Sequence, residues 1–163
     1  MATQASLKSP LPGSREATLA QQTRDQHDDL LRGMHVLEAA LASAAPGREQ
    51  AWNERVTKTL RVVASALAQH VACTEAPDGL FAEIDLRPTL LNRVERLRRE
   101  HSDLLQQAQA LQWRVEHYTA DDVPNFQDIR QRAAWLLTAL RHHQAQETDL
   151  IFESFYTDLG VVD

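Results

Sequence analysis

The sequence has little of what stabilises small secreted domains or anchors membrane proteins. It contains one cysteine, Cys73, so no disulfide can form within the chain. A single thiol favours a reducing compartment, and we expect the protein to be cytoplasmic. No apolar run approaches the roughly 18 residues that a spanning helix needs, and residues 1–14 contain no apolar segment like that of a secretory signal. The sequence therefore predicts neither a membrane-spanning helix nor a secretory leader.

Glycine and positive charge are also scarce. The 163 residues include five glycines and six prolines, while leucine, alanine, glutamine, arginine and glutamate are abundant. These abundant residues favour helices, and no strand pattern competes with them. Lysine and arginine number 17 against 23 aspartates and glutamates, which gives a net charge of −6, and no basic stripe is present. We therefore expect neither nucleic acid nor a membrane as a partner.

Four segments carry apolar residues at the three- and four-residue spacing of an amphipathic helix. Turn signals end the first two, Ala-Pro-Gly at 45–47 and Pro-Asp-Gly at 77–79. The predicted helices cover about 16–42, 49–75, 88–116 and 126–156. Helices of this length with short connections predict one all-α domain, an up-down-up-down four-helix bundle over residues 15–163. Residues 1–14 are predicted to be a flexible N-terminal arm.

The connection between the second and third predicted helices covers residues 76–87. Its sequence, APDGLFAEIDLR, contains turn residues followed by apolar ones. We predict a loop whose Leu80, Phe81 and Ile84 cover one end of the core. The third helix is predicted to start near Pro88, because proline suits a first helical turn.

The fourth predicted helix carries two metal-type ligands among its core-facing residues. These positions alternate between spacings of four and three: Ile129, Ala133, Leu136, Leu140, His143, Glu147, Leu150 and Ser154. A buried polar group without a partner costs roughly 1–3 kcal/mol, and a bare charge costs far more. His143 and Glu147 must therefore meet partners inside the bundle.

Each of the other three helices also places one histidine where a core leucine would be expected. The four histidines are His27, His70, His101 and His143. Their heights, counted from the helix ends at about 1.5 Å per residue, fall in the same half of the bundle. Bundles build metal sites from inward-pointing histidines and carboxylates on facing helices, so this pattern predicts a metal site. The histidines at 35, 117 and 142 are expected at the surface or around the site.

Two carboxylates are candidates for the same site. Glu147 follows His143 by four residues and shares its helix face. Glu75 follows His70 by five residues, which is about 140° around a regular helix. It reaches the core only if the helix unwinds before the turn. Thr74 holds the better position, four residues after His70, but is a poor metal ligand.

Four stretches carry these residues in order: RDQHDDLLRGMHVLEAAL, QHVACTEAPDGLFAEI, RLRREHSDLL and HQAQETDLIFESFYTDLG. Together they resemble the ligand-bearing blocks of the hemerythrin-like, or HHE cation-binding, domain of bacterial type. The resemblance covers the chain from about residue 16 onward. It implies that the four core histidines bind a non-haem di-iron centre, with Glu147 as a carboxylate ligand or bridge. The candidate metal ligands are therefore His27, His70, Glu75, His101, His143 and Glu147.

The resemblance also implies a function. A hemerythrin-like iron protein would interact with a small diatomic ligand, O2 or NO, or with peroxide, for sensing, storage, detoxification or iron delivery. Thr74 and Leu105 stand where the family offers further ligands. Two iron ions are expected, and one ion or another divalent metal stays open, as does an activity that decomposes peroxide.

The two departures at Thr74 and Leu105 also favour an alternative from another class. It is a degenerate, metal-poor helical bundle that acts as a regulatory or protein-interaction module. The outer faces of the predicted helices are polar, so we expect a monomer or a weak homodimer.

Overall fold

Helices make up most of this computed structural model, which describes residues 14–43, 45–117 and 126–156. Those ranges contain no strand, which confirms the predicted all-α class. Their helices are α1 (Arg15–Ala42), α2 (Glu49–Thr74), α3 (Leu80–Ile84), α4 (Leu91–Glu116) and α5 (Phe126–Phe155). Residues 1–13 of the predicted arm and residues 118–125 of the predicted link before α5 lie outside the described residues.

The ends of the long helices agree closely with the sequence pattern. Ser14 is the N-cap of α1, and its side chain accepts a hydrogen bond of 3.1 Å from the backbone N–H of Ala17. Beyond the C-terminal end of α1 the turn contains Gly47 at a φ of 73°, a left-handed conformation that suits glycine. The third long helix begins later than predicted, since Pro88–Leu90 form a 3-10 turn before α4.

The segment predicted as a loop at residues 76–87 contains the short helix α3. Leu80, Phe81 and Ile84 are buried, as predicted. Their spacing of one and then three residues places them on one face of a helical turn, which explains why this stretch becomes helical. The prediction of an irregular connection was therefore wrong at α3.

The apolar core consists of two clusters. The larger cluster includes Leu37, Leu60, Leu104 and Leu140 from the four long helices. The smaller cluster joins α3 to the beginnings of α1 and α4 and the end of α5, and it contains Leu19, Phe81, Leu97 and Leu150 among others. The core histidines and Glu147 occupy the level between the two clusters.

The four long helices surround this level. Neighbouring pairs in contact are α1 with α2, α2 with α4, α4 with α5, and α5 with α1. Each long helix therefore touches two others, and the side chains on their inner faces meet in the middle. None of the described helices combines the length and apolarity needed to cross a membrane.

The outer surface is less polar than predicted along α4 and α5. Trp113 and Trp135 are more than half exposed, at 63% and 62%. They line a surface groove of about 540 Å³ together with Leu111, Leu136 and polar neighbours. The helical periodicity missed this feature because single tryptophans on a polar face barely change the pattern.

Replacing Leu60 by alanine tests the assignment of the larger cluster. Leu60 is fully buried, so Leu60→Ala leaves a cavity and should lower the free energy of unfolding by about 2–5 kcal/mol. The matched control on the same helix is Val62→Ala, since Val62 is 54% exposed, and it should change stability by less than about 0.5 kcal/mol. Urea denaturation followed by circular dichroism measures both. Equal losses of stability in the two variants would contradict the burial of Leu60 in the larger cluster.

Candidate metal centre

Each long helix brings one histidine to the middle of the molecule. These are His27 from α1, His70 from α2, His101 from α4 and His143 from α5, and α5 adds Glu147. His70, His101, His143 and Glu147 are all at least 98% buried. The side chain of His27 is 12% exposed. Five of the six candidate ligands predicted from the sequence therefore lie together.

Glu147 stands at the centre of this group. Its Oε2 lies 2.7 Å from Nε2 of His27 and 3.0 Å from Nε2 of His70. Its Oε1 lies 3.2 Å from Nε2 of His101 and 3.3 Å from Nε2 of His143. Each carboxylate oxygen thus faces two imidazoles, and all four imidazoles present the same nitrogen to it.

Most of these contacts are not good hydrogen bonds. His27 forms one with Glu147, but four other buried atoms of this group have no hydrogen-bond partner: Nε2 of His70, His101 and His143, and Oε1 of Glu147. Leaving a buried polar atom unsatisfied costs roughly 1–3 kcal/mol. One ligand atom from each of these four residues lies within 4.8 Å of the others. Since imidazole nitrogens and carboxylate oxygens are metal ligands, a single cation would satisfy all four atoms together.

The outer nitrogens of three histidines have polar partners. Nδ1 of His70 lies 3.1 Å from Oε1 of Gln26, and Nδ1 of His143 lies 3.0 Å from Oε2 of Glu100. Nδ1 of His101 lies 2.7 Å from Oε1 of Glu75. An acceptor on Nδ1 holds a metal-binding imidazole in one orientation and leaves Nε2 for the metal.

The structure places Glu75 differently from the sequence prediction. Helix α2 ends at Thr74, and Glu75 takes the C-cap position with φ −93° and ψ 2°. Its carboxylate contacts the outer nitrogen of His101 and is 33% exposed, outside the four converging atoms. Thr74 is the inward residue and lies 3.4 Å from Nδ1 of His70. The reason is angular, because five residues turn a helix through about 140° and direct Glu75 toward α4.

Sequence reasoning missed Gln26 and Glu100, although a signal was present. Each directly precedes a core histidine, His27 or His101. A step of one residue rotates the side chain by about 100°, toward the neighbouring helix. Gln26 thus meets the histidine of α2, and Glu100 meets the histidine of α5. The three remaining histidines, at 35, 117 and 142, are exposed.

Charge at the centre follows from burial and from the surrounding contacts. Burial alone would raise the pKa of Glu147, but its polar contacts with the four histidines outweigh this and hold the pKa well below its usual value. Burial lowers the pKa of His70, against the opposing effect of Glu147. Burial also acts to lower the pKa of His143, yet contacts with Glu147 and Glu100 raise it overall. The ionised carboxylate and the neutral His70 are the forms that bind metals.

The centre is covered at one end by α3. The ring of Phe81 stacks on the imidazole of His101 with centroids 5.3 Å apart and an angle of 17° between the planes. The guanidinium of Arg98 lies 5.5 Å from the centre of the Phe81 ring, and Arg98 also pairs with Asp85 at 2.7 Å. These contacts tie α3 to α4 directly above the buried histidine.

Comparisons with protein-family models, curated proteins and solved structures find no match to this chain. The resemblance to hemerythrin-like domains therefore stays a prediction.

Replacing Glu147 by glutamine tests its charge in the metal-free protein. The depressed pKa of Glu147 means that its ionised form stabilises the fold above the unfolded pKa of about 4.3. Glu147→Gln should therefore be less stable than the wild type at pH 7. The difference should shrink as the pH falls through the folded pKa of Glu147, since the wild-type carboxyl then becomes neutral too. Urea denaturation in a chelator at several pH values gives both curves, and a constant difference would contradict an ionised Glu147.

Proposed function

We propose that this protein binds metal at the buried centre between its four long helices. The observation that carries the proposal is the set of four buried atoms without hydrogen-bond partners, contributed by His70, His101, His143 and Glu147. A folded core does not keep such a group without compensation, and a cation supplies it. We also infer that the long helices run up-down-up-down, which agrees with the contacts between successive long helices.

We infer that the metal is non-haem iron. Imidazole and carboxylate ligands suit iron, manganese, zinc and cobalt. Cys73, the one thiol, is not part of the group of converging atoms, and its sulfur accepts a hydrogen bond from Gln69 at 3.2 Å. The choice of iron among the suitable metals rests on the resemblance to hemerythrin-like domains.

The arrangement around Glu147 supports two irons sharing one carboxylate. Oε2 faces His27 and His70, and Oε1 faces His101 and His143. Each oxygen thus belongs to its own pair of imidazoles, which suits a bridge between two ions. A single ion would instead use the group of His70, His101, His143 and Glu147. The number of metal ions per chain separates the two arrangements.

The residues of the chain determine what such a centre can do. Bound iron would supply a position for O2, NO or peroxide, for sensing, storage or detoxification. Burial of the ligands keeps bulk water away, and Phe81 with the rest of α3 covers His101. Gln26, Glu75 and Glu100 hold the imidazoles in place. Among the residues that the structure describes, no further buried acid or base lies in this group, so we favour binding over turnover.

The alternative, a metal-poor interaction module, is less consistent with the core. A bundle without a metal would gain stability from apolar side chains in place of the buried ions and imidazoles. Here His101 and Glu147 are fully buried instead. If the alternative were correct, replacing His27 and His101 together by leucine would stabilise the protein in iron-containing buffer as well as in chelator.

Metal analysis of a histidine variant tests the proposed function. The purified wild type, reconstituted anaerobically with Fe²⁺, should retain about two irons per chain in the bridged arrangement, or one in the single-ion arrangement. His143→Ala should lose most of this iron while its helices remain. His142→Ala is the matched control, because His142 is adjacent but exposed, and it should bind like the wild type. Elemental analysis with circular dichroism gives the answer, and a wild type without metal would overturn the proposal.

A further inference from the structure

The contact between Glu75 and His101 is the shortest of those that hold the outer nitrogens of the buried histidines. Oε1 of Glu75 lies 2.7 Å from Nδ1 of His101, compared with 3.0 Å for Glu100 on His143 and 3.1 Å for Gln26 on His70. His101 is fully buried, whereas Glu75 is 33% exposed. The carboxylate therefore reaches from the edge of the molecule to the outer side of the imidazole.

The turn after α2 determines where this carboxylate lies. Glu75 has left the helical conformation, and its backbone N–H donates to the carbonyl of Val71. Four residues later, Gly79 approaches the end of α2 so closely that an added Cβ would lie 2.7 Å from the carbonyl oxygen of Thr74. Only glycine permits this approach without a shift of the turn. The sequence EAPDG thus directs Glu75 away from the axis of α2 and toward α4.

Two groups hold the imidazole of His101 in different ways. The stacked ring of Phe81 restricts the plane of the imidazole, but stacking does not choose which nitrogen carries the proton. The carboxylate of Glu75 does choose, because a carboxylate accepts a hydrogen bond and Nδ1 must then donate it. Nε2, which lies 3.2 Å from Oε1 of Glu147, is left with its lone pair toward the centre.

We propose that Glu75 is a positioning residue, not a metal ligand: it keeps the proton of His101 on Nδ1 and so frees Nε2 for the metal. This role rests on the proposed function. It assigns to Glu75 the task of orienting a ligand on α4 from the turn that follows α2.

Cobalt binding by Glu75 variants tests the effect on the metal. Co²⁺ is the probe, and its visible absorption is titrated in the full-length protein. Glu75→Ala should weaken Co²⁺ binding about 10–100-fold, the usual effect of losing a hydrogen-bond partner of a metal ligand. Glu75→Gln keeps an oxygen acceptor for Nδ1 and should restore most of the affinity. The control is Glu54→Ala, since Glu54 is an exposed glutamate on α2 and accepts a hydrogen bond of 3.0 Å from Gln50.

Nitrogen-15 NMR of the metal-free protein gives a second readout that needs no metal. In the wild type and in Glu75→Gln, His101 should show a proton on Nδ1 that exchanges slowly with water. In Glu75→Ala that proton should exchange fast, and part of the population should carry the proton on Nε2 instead. Circular dichroism confirms that the variants remain folded, which is expected because Glu75 is partly exposed.

The two readouts separate the failure of this inference from the failure of the proposed function. If the wild type binds Co²⁺ and Glu75→Ala binds equally well, with Nδ1 of His101 unchanged, the positioning role is overturned. If the wild type binds neither Co²⁺ nor iron while the Nδ1 proton still depends on Glu75, the metal function fails and the control of the His101 proton stands. Weaker binding in Glu75→Ala, with recovery in Glu75→Gln, supports both.

Discussion

An ionised carboxylate inside a helical core is unfavourable unless opposite charge or hydrogen-bond donors surround it, and Glu147 is fully buried. All four long helices contribute a histidine to it, at 2.7–3.3 Å. The relative heights and rotations of the helices are therefore tied to one side chain. A shift of one helix by a single residue would move its imidazole away from the carboxylate. A cavity or another polar side chain would then take the place of that imidazole.

Around this carboxylate the polar residues form two layers. The inner layer consists of the Nε2 atoms that face Glu147, and the outer layer consists of acceptors on Nδ1. The outer acceptors come from α1, from the turn after α2 and from α4. Gln26 and Glu100 each contact a histidine on another helix. The outer layer therefore links neighbouring helices and also holds the imidazoles in place. These acceptors hold three of the four imidazoles, those of His70, His101 and His143, in a fixed orientation.

The sequence predicted the inner layer far better than the outer one. Helical periodicity locates core-facing positions, so His70, His101, His143 and Glu147 were expected in the core, and they are buried. Periodicity cannot predict the rotation of a residue beyond a helix end. The sequence therefore left open whether Glu75 faces the core, and its position depends on the turn at Gly79, whose path the helical periodicity does not determine. Periodicity also failed to predict the short helix α3. A single helical turn contains too few apolar residues for their spacing to differ from that of a loop with a few buried side chains.

The polar centre also divides the apolar core in two. His143 and Glu147 lie between Leu140 of the larger cluster and Leu150 of the smaller one. The buried apolar side chains on either side of the site thus form two clusters, joined by the helices that run through both and by the polar groups between them. Local opening of one end of a protein costs less free energy when fewer buried apolar contacts are lost, and the cluster at the α3 end is the smaller one. The amide hydrogens of the α3 end are therefore expected to exchange with solvent before those packed around the larger cluster.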